Sequence, residues 1–317
     1  MKSQVSFARP AALRPRDKVA VVAPAGPFDR AAFDAGLAVL AGRYQPVFDA
    51  GLFAVHHYLA GDDARRLAEL QKALRDETVR AIFAARGGYG SARLLPKLAL
   101  AGLPPKLVVG FSDLTALHQA LGAAGWASIH GPVVTQLGKQ PPESVERLFE
   151  LLESAAPAAG LTGATPLVPG VVEGPLLGGN LSVLTRLIGT PYLPPFAGAV
   201  LLLEDVGERP YRLDRMWTHL AMAGVFQQVR GIALGEFNKC EEPAQVPGNA
   251  VAELPASSRE VLLSLARETG LPCASGFRIG HGAVNLAVPL GCRVRLDATA
   301  GKLEFLEAAV RTSGAGP

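Results

Sequence analysis

Several features that would place this chain quickly are missing. Its 317 residues hold three cysteines, Cys240, Cys273 and Cys292, far apart and without a CxxC pair. So sparse and odd a set of thiols argues against a disulfide framework and fits a reducing compartment, so a cytoplasmic location is expected. No stretch approaches the roughly 18 apolar residues of a membrane-spanning helix. The one leader-like segment, Lys18-Val19-Ala20-Val21-Val22-Ala23-Pro24-Ala25, has an apolar run of only about five residues behind Asp17 and Lys18. That is shorter than a signal sequence requires, so it reads as a first strand. An excess of one charge is missing as well. The 31 basic and 28 acidic residues leave +3, with no run of like charge, so neither a nucleic-acid nor a membrane partner is expected. HExxH and clustered Cys/His ligands are absent, and no metal is expected. There is no Walker A sequence. Gly88-Tyr89-Gly90 starts like a dinucleotide fingerprint, but Arg93 stands where the third glycine belongs and no acidic residue follows at the expected distance. A non-catalytic nucleotide-binding module built on this loop is the competing reading from a different functional class.

The residues that are present describe an ordinary globular protein, 49% hydrophobic and 19% charged. The length suggests about two domains. In the first half strands alternate with helices. Residues 18–23 form a strand and Pro24-Ala25-Gly26-Pro27 a turn. Asp29 is an N-cap for a helix through Phe33, Leu37 and Leu40 that stops at Gly42. A short strand lies near Pro46-Val47-Phe48, and residues 62–74 form an amphipathic helix with Leu67, Leu70 and Leu74 on one face. Strands at 81–85, 107–109 and 127–130 and a charged helix at 144–154 complete an α/β domain with a parallel sheet, assigned to residues 1–154. Residues 155–166 are small, Pro/Gly-rich and almost uncharged, so 155–170 is taken as a linker. In residues 171–317, Gly178-Gly179-Asn180 opens a helix through Leu184 and Ile188. An apolar strand at 199–203 ends at Glu204-Asp205. A helix at 212–223, a strand at 231–235 and a helix at 257–269 follow. Residues 292–306 alternate as two antiparallel strands would.

Chemistry is concentrated at Gly110-Phe111-Ser112-Asp113, between the strand at 107–109 and a helix marked by Leu114, Leu117 and Leu121. A serine at such a corner sits at a helix N-terminus, whose free N–H groups favour developing negative charge. This is the logic of a nucleophile elbow, although Leu114 stands where G-x-S-x-G has its last glycine. The plain alternative is that Ser112 caps the helix. A nucleophile needs a base, an orienting acid and an oxyanion hole. Of six histidines, His118 points away from Ser112 on the helix. His56 and His57 lie in a polar loop, His219 lies in a helix, and His130 reads as a strand-end core residue. His281 is flanked by Gly280 and Gly282, which gives its ring room to approach a neighbouring loop; the alternative is a surface turn. Glu204, at the C-terminal end of a buried strand where α/β ligand groups gather, is the sharpest carboxylate. Asp205 beside it reads as a solvent-facing strand terminator. The N–H of Asp113, with one from Gly87-Gly88, could form the oxyanion hole.

With these pieces placed, the chain resembles the LD-carboxypeptidase family, the muramoyltetrapeptide carboxypeptidases with the microcin C immunity proteins as a branch. The blocks that carry the likeness span roughly residues 15–310. They are Val21-Val22-Ala23-Pro24-Ala25-Gly26, Arg86-Gly87-Gly88-Tyr89-Gly90 and Gly110-Phe111-Ser112-Asp113, then Leu177-Gly178-Gly179-Asn180-Leu181, Ile188-Gly189-Thr190-Pro191, Leu203-Glu204-Asp205-Val206-Gly207-Glu208 with Tyr211-Arg212-Leu213-Asp214-Arg215, and Gly280-His281. The resemblance implies a Ser112–Glu204–His281 triad in the cleft between an N-terminal α/β domain with a parallel sheet and a smaller, β-rich C-terminal α/β domain. Beside this triad, Asp113 and Gly88 are the expected backbone oxyanion donors, and Arg86, Gly87 and Asn180 are candidate substrate contacts. Arg215 is a further candidate for the peptide's carboxylates. The resemblance also implies a homodimer that needs no cofactor. The implied reaction is release of terminal D-alanine from murein tetrapeptide across an L,D bond, a cytoplasmic step of peptidoglycan recycling. The alternative within the family is an immunity hydrolase of acyl-adenylate-like compounds. Residues 240–256 match no block.

Overall fold

A computed structural model describes residues 7–242 and 257–312, so most of the unmatched segment 240–256 lies outside the described residues. The first half supplies β1 (Lys18–Val22), α1 (Arg30–Ala41), β2 (Gln45–Val47), α2 (Asp63–Arg75), β3 (Ala81–Ala84), β4 (Leu107–Gly110), α3 (Thr115–Ala123), β5 (Ser128–His130), α4 (Val134–Leu137) and α5 (Pro142–Glu153). The second half supplies β6 (Thr165–Val168), β7 (Val171–Asn180), α6 (Leu181–Thr185), β8 (Val200–Val206), α7 (Pro210–Met222), β9 (Gly231–Asn238), α8 (Ser258–Thr269), β10 (Cys273–Ser275), β11 (Val288–Leu290), β12 (Arg293–Asp297) and β13 (Lys302–Phe305).

Two sheets result. The first runs β11-β5-β4-β3-β1-β2, parallel throughout except for β11 on the edge. Its central strands β3 and β4 are buried along their whole length, as expected of a sheet covered on both faces. Alternate residues feed two cores. Val19, Val21, Phe83 and Val109 pack with Phe33, Leu40, Val134 and Leu148 of α1, α4 and α5. Ala20, Val22, Ile82 and Val108 pack with Leu70, Leu74, Leu117 and Leu121 of α2 and α3. The second sheet runs β13-β12-β7-β8-β9-β10-β6, with β7-β8-β9-β10 parallel and the outer strands antiparallel. The expected N-terminal parallel sheet and mixed C-terminal α/β region are both present.

The expected linker differs. Residues 165–168 form β6, paired antiparallel with β10, and Leu161 bridges Leu303. Thr165-Pro166 reads as loop because proline cannot serve a central strand, yet it is tolerated here on an edge. The two halves also exchange structure. β11, from the second half, closes the edge of the first sheet through Val288 opposite His130. Across the join, Gln119 Nε2 on α3 donates to Gly178 O at 2.8 Å, and Asn180 N–H donates to Thr115 Oγ1 at 2.9 Å. Gly179, at φ +141°, is required for this approach, and Gly178, at φ +119°, for the close pairing of β7 with β8. A Cβ on Gly178 would lie 2.1 Å from Leu202 O, and one on Gly179 2.6 Å from Thr115 Oγ1.

Candidate active site

Ser112 follows β4 at φ +63° and opens one 3₁₀ turn, Ser112–Leu114, before α3. A left-handed serine costs roughly 1–2 kcal/mol, so the surroundings must hold it there. Asp113 does much of this. It is buried, its Oδ2 accepts from Ser91 N–H at 2.8 Å, and Ser91 Oγ donates to its carbonyl at 2.6 Å. Burial pushes the Asp113 carboxyl above its usual range. Because the turn starts at Ser112, the Asp113 N–H has no intrahelical partner. The glycine loop lies against the serine: a Cβ on Gly87 would be 3.0 Å from Ser112 Cβ and 3.2 Å from its Oγ. Gly88 follows at φ +112°. Gly87 O is held by Gly26 N–H at 3.1 Å.

The carboxylate and imidazole come from the other half. Glu204 sits on β8, where the register with β9 shifts between Leu203 and Asp205, an irregularity of the kind that re-aims a side chain. It is fully buried. Two glycines make room for it. A Cβ on Gly280, at φ +104°, would lie 2.3 Å from Glu204 Oε2, and one on Gly235 would lie 3.1 Å from Glu204 Cβ. His281 Nδ1 lies 2.6 Å from Glu204 Oε2, and its Nε2 lies 3.1 Å from Ser112 Oγ. An ionised carboxylate can only accept, so Nδ1 carries the proton and Nε2 is left to accept from the serine hydroxyl. Burial alone would raise the Glu204 carboxyl. The imidazoles of His130 and His281 beside it prevail and hold it at about 2. The His281 loop is tied down by Asn238 Nδ2, which donates to His281 O at 2.9 Å, and by Gly280 N–H, which donates to Asn285 Oδ1 at 2.9 Å. Asn285 is itself anchored to the first half through Gln140 and Ser144.

The other expected positions are distributed differently. Arg86 is exposed, and its guanidinium donates to Pro27 O. Asn180 is buried and caps α6. Its Oδ1 accepts from Val183 N–H at 3.1 Å and its Nδ2 donates to Asp205 Oδ1 at 3.0 Å. Asp205 is not solvent-facing as expected. It is 2% exposed, also accepts from Ser182 N–H, and is pushed up to about 6, chiefly by burial. The reason is that β8 is central in its sheet and buried on both faces, so the residue after Glu204 is no freer than Glu204 itself. Arg215 is exposed on α7 beside Tyr211. His118 is buried between Gly110 O and Ser128 Oγ and driven down to about 3 by burial, away from the serine. His56, His57 and His219 are exposed. His130 is a buried strand-end residue as expected, but it faces Glu204.

One supporting residue is not among those the sequence singles out. Arg66 lies on the helix read as a charged surface, yet it is fully buried. Its guanidinium donates to Pro24 O and Gly90 O and so clamps the first-strand turn to the glycine loop. The signal was Gly90, at φ +130°, where a Cβ would lie 2.6 Å from Arg66 Nη1. Among the described residues no three or more His, Cys, Asp or Glu side chains are grouped to hold a metal ion, and no helix is long and apolar enough to cross a membrane.

Comparison with known proteins follows the same outline. Models of the N-terminal and C-terminal domains of LD-carboxypeptidases match residues 19–131 and 173–296. A putative carboxypeptidase of Synechocystis sp. is 39% identical over 304 residues, covering 95% of this chain and 98% of that protein. A murein tetrapeptide carboxypeptidase of Pseudomonas aeruginosa is 36% identical over 251 residues, 75% of this chain and 79% of that protein. The crystal structure of a muramoyltetrapeptide carboxypeptidase from Oxalobacter formigenes superposes with a TM-score of 0.77 at 27% identity, over 90% of this chain and 97% of that one.

Proposed function

The chain belongs to the LD-carboxypeptidase family, and from that premise we propose that it releases terminal D-alanine from murein tetrapeptide by cleaving an L,D-peptide bond, using Ser112, His281 and Glu204 as its triad. The observation that carries this reading is His281, bridging Ser112 Oγ at 3.1 Å and Glu204 Oε2 at 2.6 Å across the join between the halves. Ser112 attacks the scissile carbonyl while His281 Nε2 takes its proton. Glu204 stabilises the imidazolium and fixes its tautomer. The N–H groups of Asp113 and Gly88 receive the developing oxyanion, and His281 returns the proton to the leaving D-alanine. Water then hydrolyses the acyl-enzyme by the reverse proton path. The identity to a murein tetrapeptide carboxypeptidase supports the substrate. The three free, buried cysteines fit a cytoplasmic step in peptidoglycan recycling.

The test is hydrolysis of tetrapeptide, of a pentapeptide ending in D-Ala–D-Ala, and of an acyl-adenylate analogue. Tetrapeptide should be cleaved and the D-Ala–D-Ala terminus left intact. Ser112→Ala should abolish turnover with an unchanged far-UV CD spectrum. Rapid cleavage of pentapeptide with no action on tetrapeptide would contradict the proposal. Preference for the acyl-adenylate would turn the reading to an immunity hydrolase.

A further inference from the structure

The triad uses one of Glu204's two oxygens. Oε2 receives the His281 proton, whereas Oε1 is buried with no hydrogen-bond partner among the described residues. An ionised oxygen left unpaired away from water is expensive, more so than a neutral one. Facing it, 3.7 Å away, is Nε2 of His130, on a side chain as fully buried as Glu204. Among the described residues neither ring nitrogen of His130 has a hydrogen-bond partner. An acceptor without a donor thus faces a donor without an acceptor, across a gap less than about 1 Å longer than a hydrogen bond. An apolar side chain would serve packing alone better than an imidazole that bonds to nothing.

We propose that His130 is a positioning residue whose neutral ring carries its proton on Nε2 and donates it to Oε1 of Glu204, so that Oε2 stays aimed at His281. The inference rests on the triad reading above and deepens it. His130 ends β5, beside Gly110 at the end of the nucleophile strand. The first half of the chain would therefore reach the second half's acid directly, as well as through Ser112 and His281. The titratable groups around His130 are Glu204 itself, His118, whose ring centroid is 6.4 Å away, and His281 on the far side of the carboxylate. Phe111 closes another side at 5.8 Å.

Two measurements test this independently. In ¹⁵N-histidine-labelled protein, two-bond spectra should show His130 in the Nε2–H tautomer, assigned by the signals that vanish in His130→Gln. Those signals should move in Glu204→Gln. An Nδ1–H tautomer, or signals indifferent to Glu204→Gln, would overturn the proposal. These spectra need no turnover, so they decide the point even if tetrapeptide proves not to be the substrate. In kinetics, His130→Phe keeps a ring but removes the donor. We expect kcat to fall on the order of tenfold to a hundredfold, as when a metal-bound ligand loses the partner that orients it, with KM changed less than about twofold. Glu204, relieved of sharing its charge, should hold the His281 proton more tightly. The acid limb of kcat/KM should then move to higher pH, a change that loosened packing alone would not cause. His130→Gln offers an amide donor and should recover most of the loss. Wild-type kcat and pH profile in His130→Phe, or a folded His130→Gln no better than His130→Phe, would sink the idea. If His130→Phe does not fold, His130→Gln and the spectra carry the test.

Discussion

Glu204 and Asp205 are neighbours on β8 whose side chains leave opposite faces of the sheet. Val200 and Leu202, on the Glu204 side, pack with Phe277 and Ile279 of the segment that leads to His281. Leu201 and Leu203, on the Asp205 side, pack under α6, α7 and α8. Both carboxylates are almost fully buried, at 0% and 2% exposure, yet one is held at about 2 and the other pushed to about 6. Burial is common to both and raises both, so it cannot be the cause of the difference. Partners are. Glu204 faces two imidazoles, which can share or carry a proton. Among the described residues Asp205 accepts only from the neutral groups of Asn180, Ser182 and Val206, and it feels the Glu204 charge beside it. One face of the strand therefore stabilises an anion next to a proton acceptor, and the other uses a carboxyl to fasten a helix start.

The comparison breaks most visibly if the acid of the first face is neutralised. Glu204→Gln keeps the size but presents an amide that can donate to His281 Nδ1, favouring the wrong tautomer. A loss on the order of 10⁴ in kcat is expected, as for the acid-to-amide change in other serine triads. KM should change far less. The loss should not add to that of Ser112→Ala, because triad members act as a unit. Near-normal turnover in Glu204→Gln would reassign the orienting acid. A smaller but still large effect is expected from Gly280→Ala, which leaves every functional group in place. Its Cβ would come 2.3 Å from Glu204 Oε2, at a φ of +104° that disfavours any side chain. Glu204 must shift, and a displacement near 1 Å costs about 10² in rate. Steady-state kinetics on tetrapeptide decides this, and an unaffected kcat would mean that the carboxylate has slack.

That Ser112, Glu204 and His281 meet is legible because each carries a local signal: a corner, the end of an apolar strand, flanking glycines. The alternation of strands and helices likewise announced the first sheet. What escaped depends on partners far away in the chain. β11 joins the first sheet by pairing Val288 with His130, and nothing near Val288-Pro289-Leu290 announces a return to the other half. Arg66 resembles its exposed neighbours on α2 until Pro24 and Gly90 are seen to converge on it. His130 reads as core, which it is; only Glu204, brought from β8, gives its ring something to do. Asp205 reads as solvent-facing for a related reason. The residue after a strand's apolar run is usually released to solvent, but here the sheet and α6 continue past it.

Asp205→Asn sharpens the comparison with the smallest effect on turnover and a clear one on stability. Asp205 bonds neither Ser112 nor His281, so it makes no contact that strengthens in the transition state and kcat should fall by well under about tenfold. Stability should respond through pH. The folded carboxyl titrates at about 6 against an ordinary 3.8. Between those values the folded state binds a proton that the unfolded state does not, so stability is fully present below the lower value and falls as pH rises through the higher one. The span is worth on the order of 3 kcal/mol. An asparagine has no such titration. It offers one acceptor oxygen to three donors and loses hydrogen bonds worth about 1–3 kcal/mol, at every pH. The unfolding free energy of Asp205→Asn minus that of the wild type should therefore rise by roughly 3 kcal/mol from pH 4 to pH 7, levelling off above the folded value. Urea unfolding of both proteins across that range measures it. A difference that stays flat, or falls with pH, would show that Asp205 is ionised as easily as Glu204, and that the two faces of β8 do not treat their carboxylates differently.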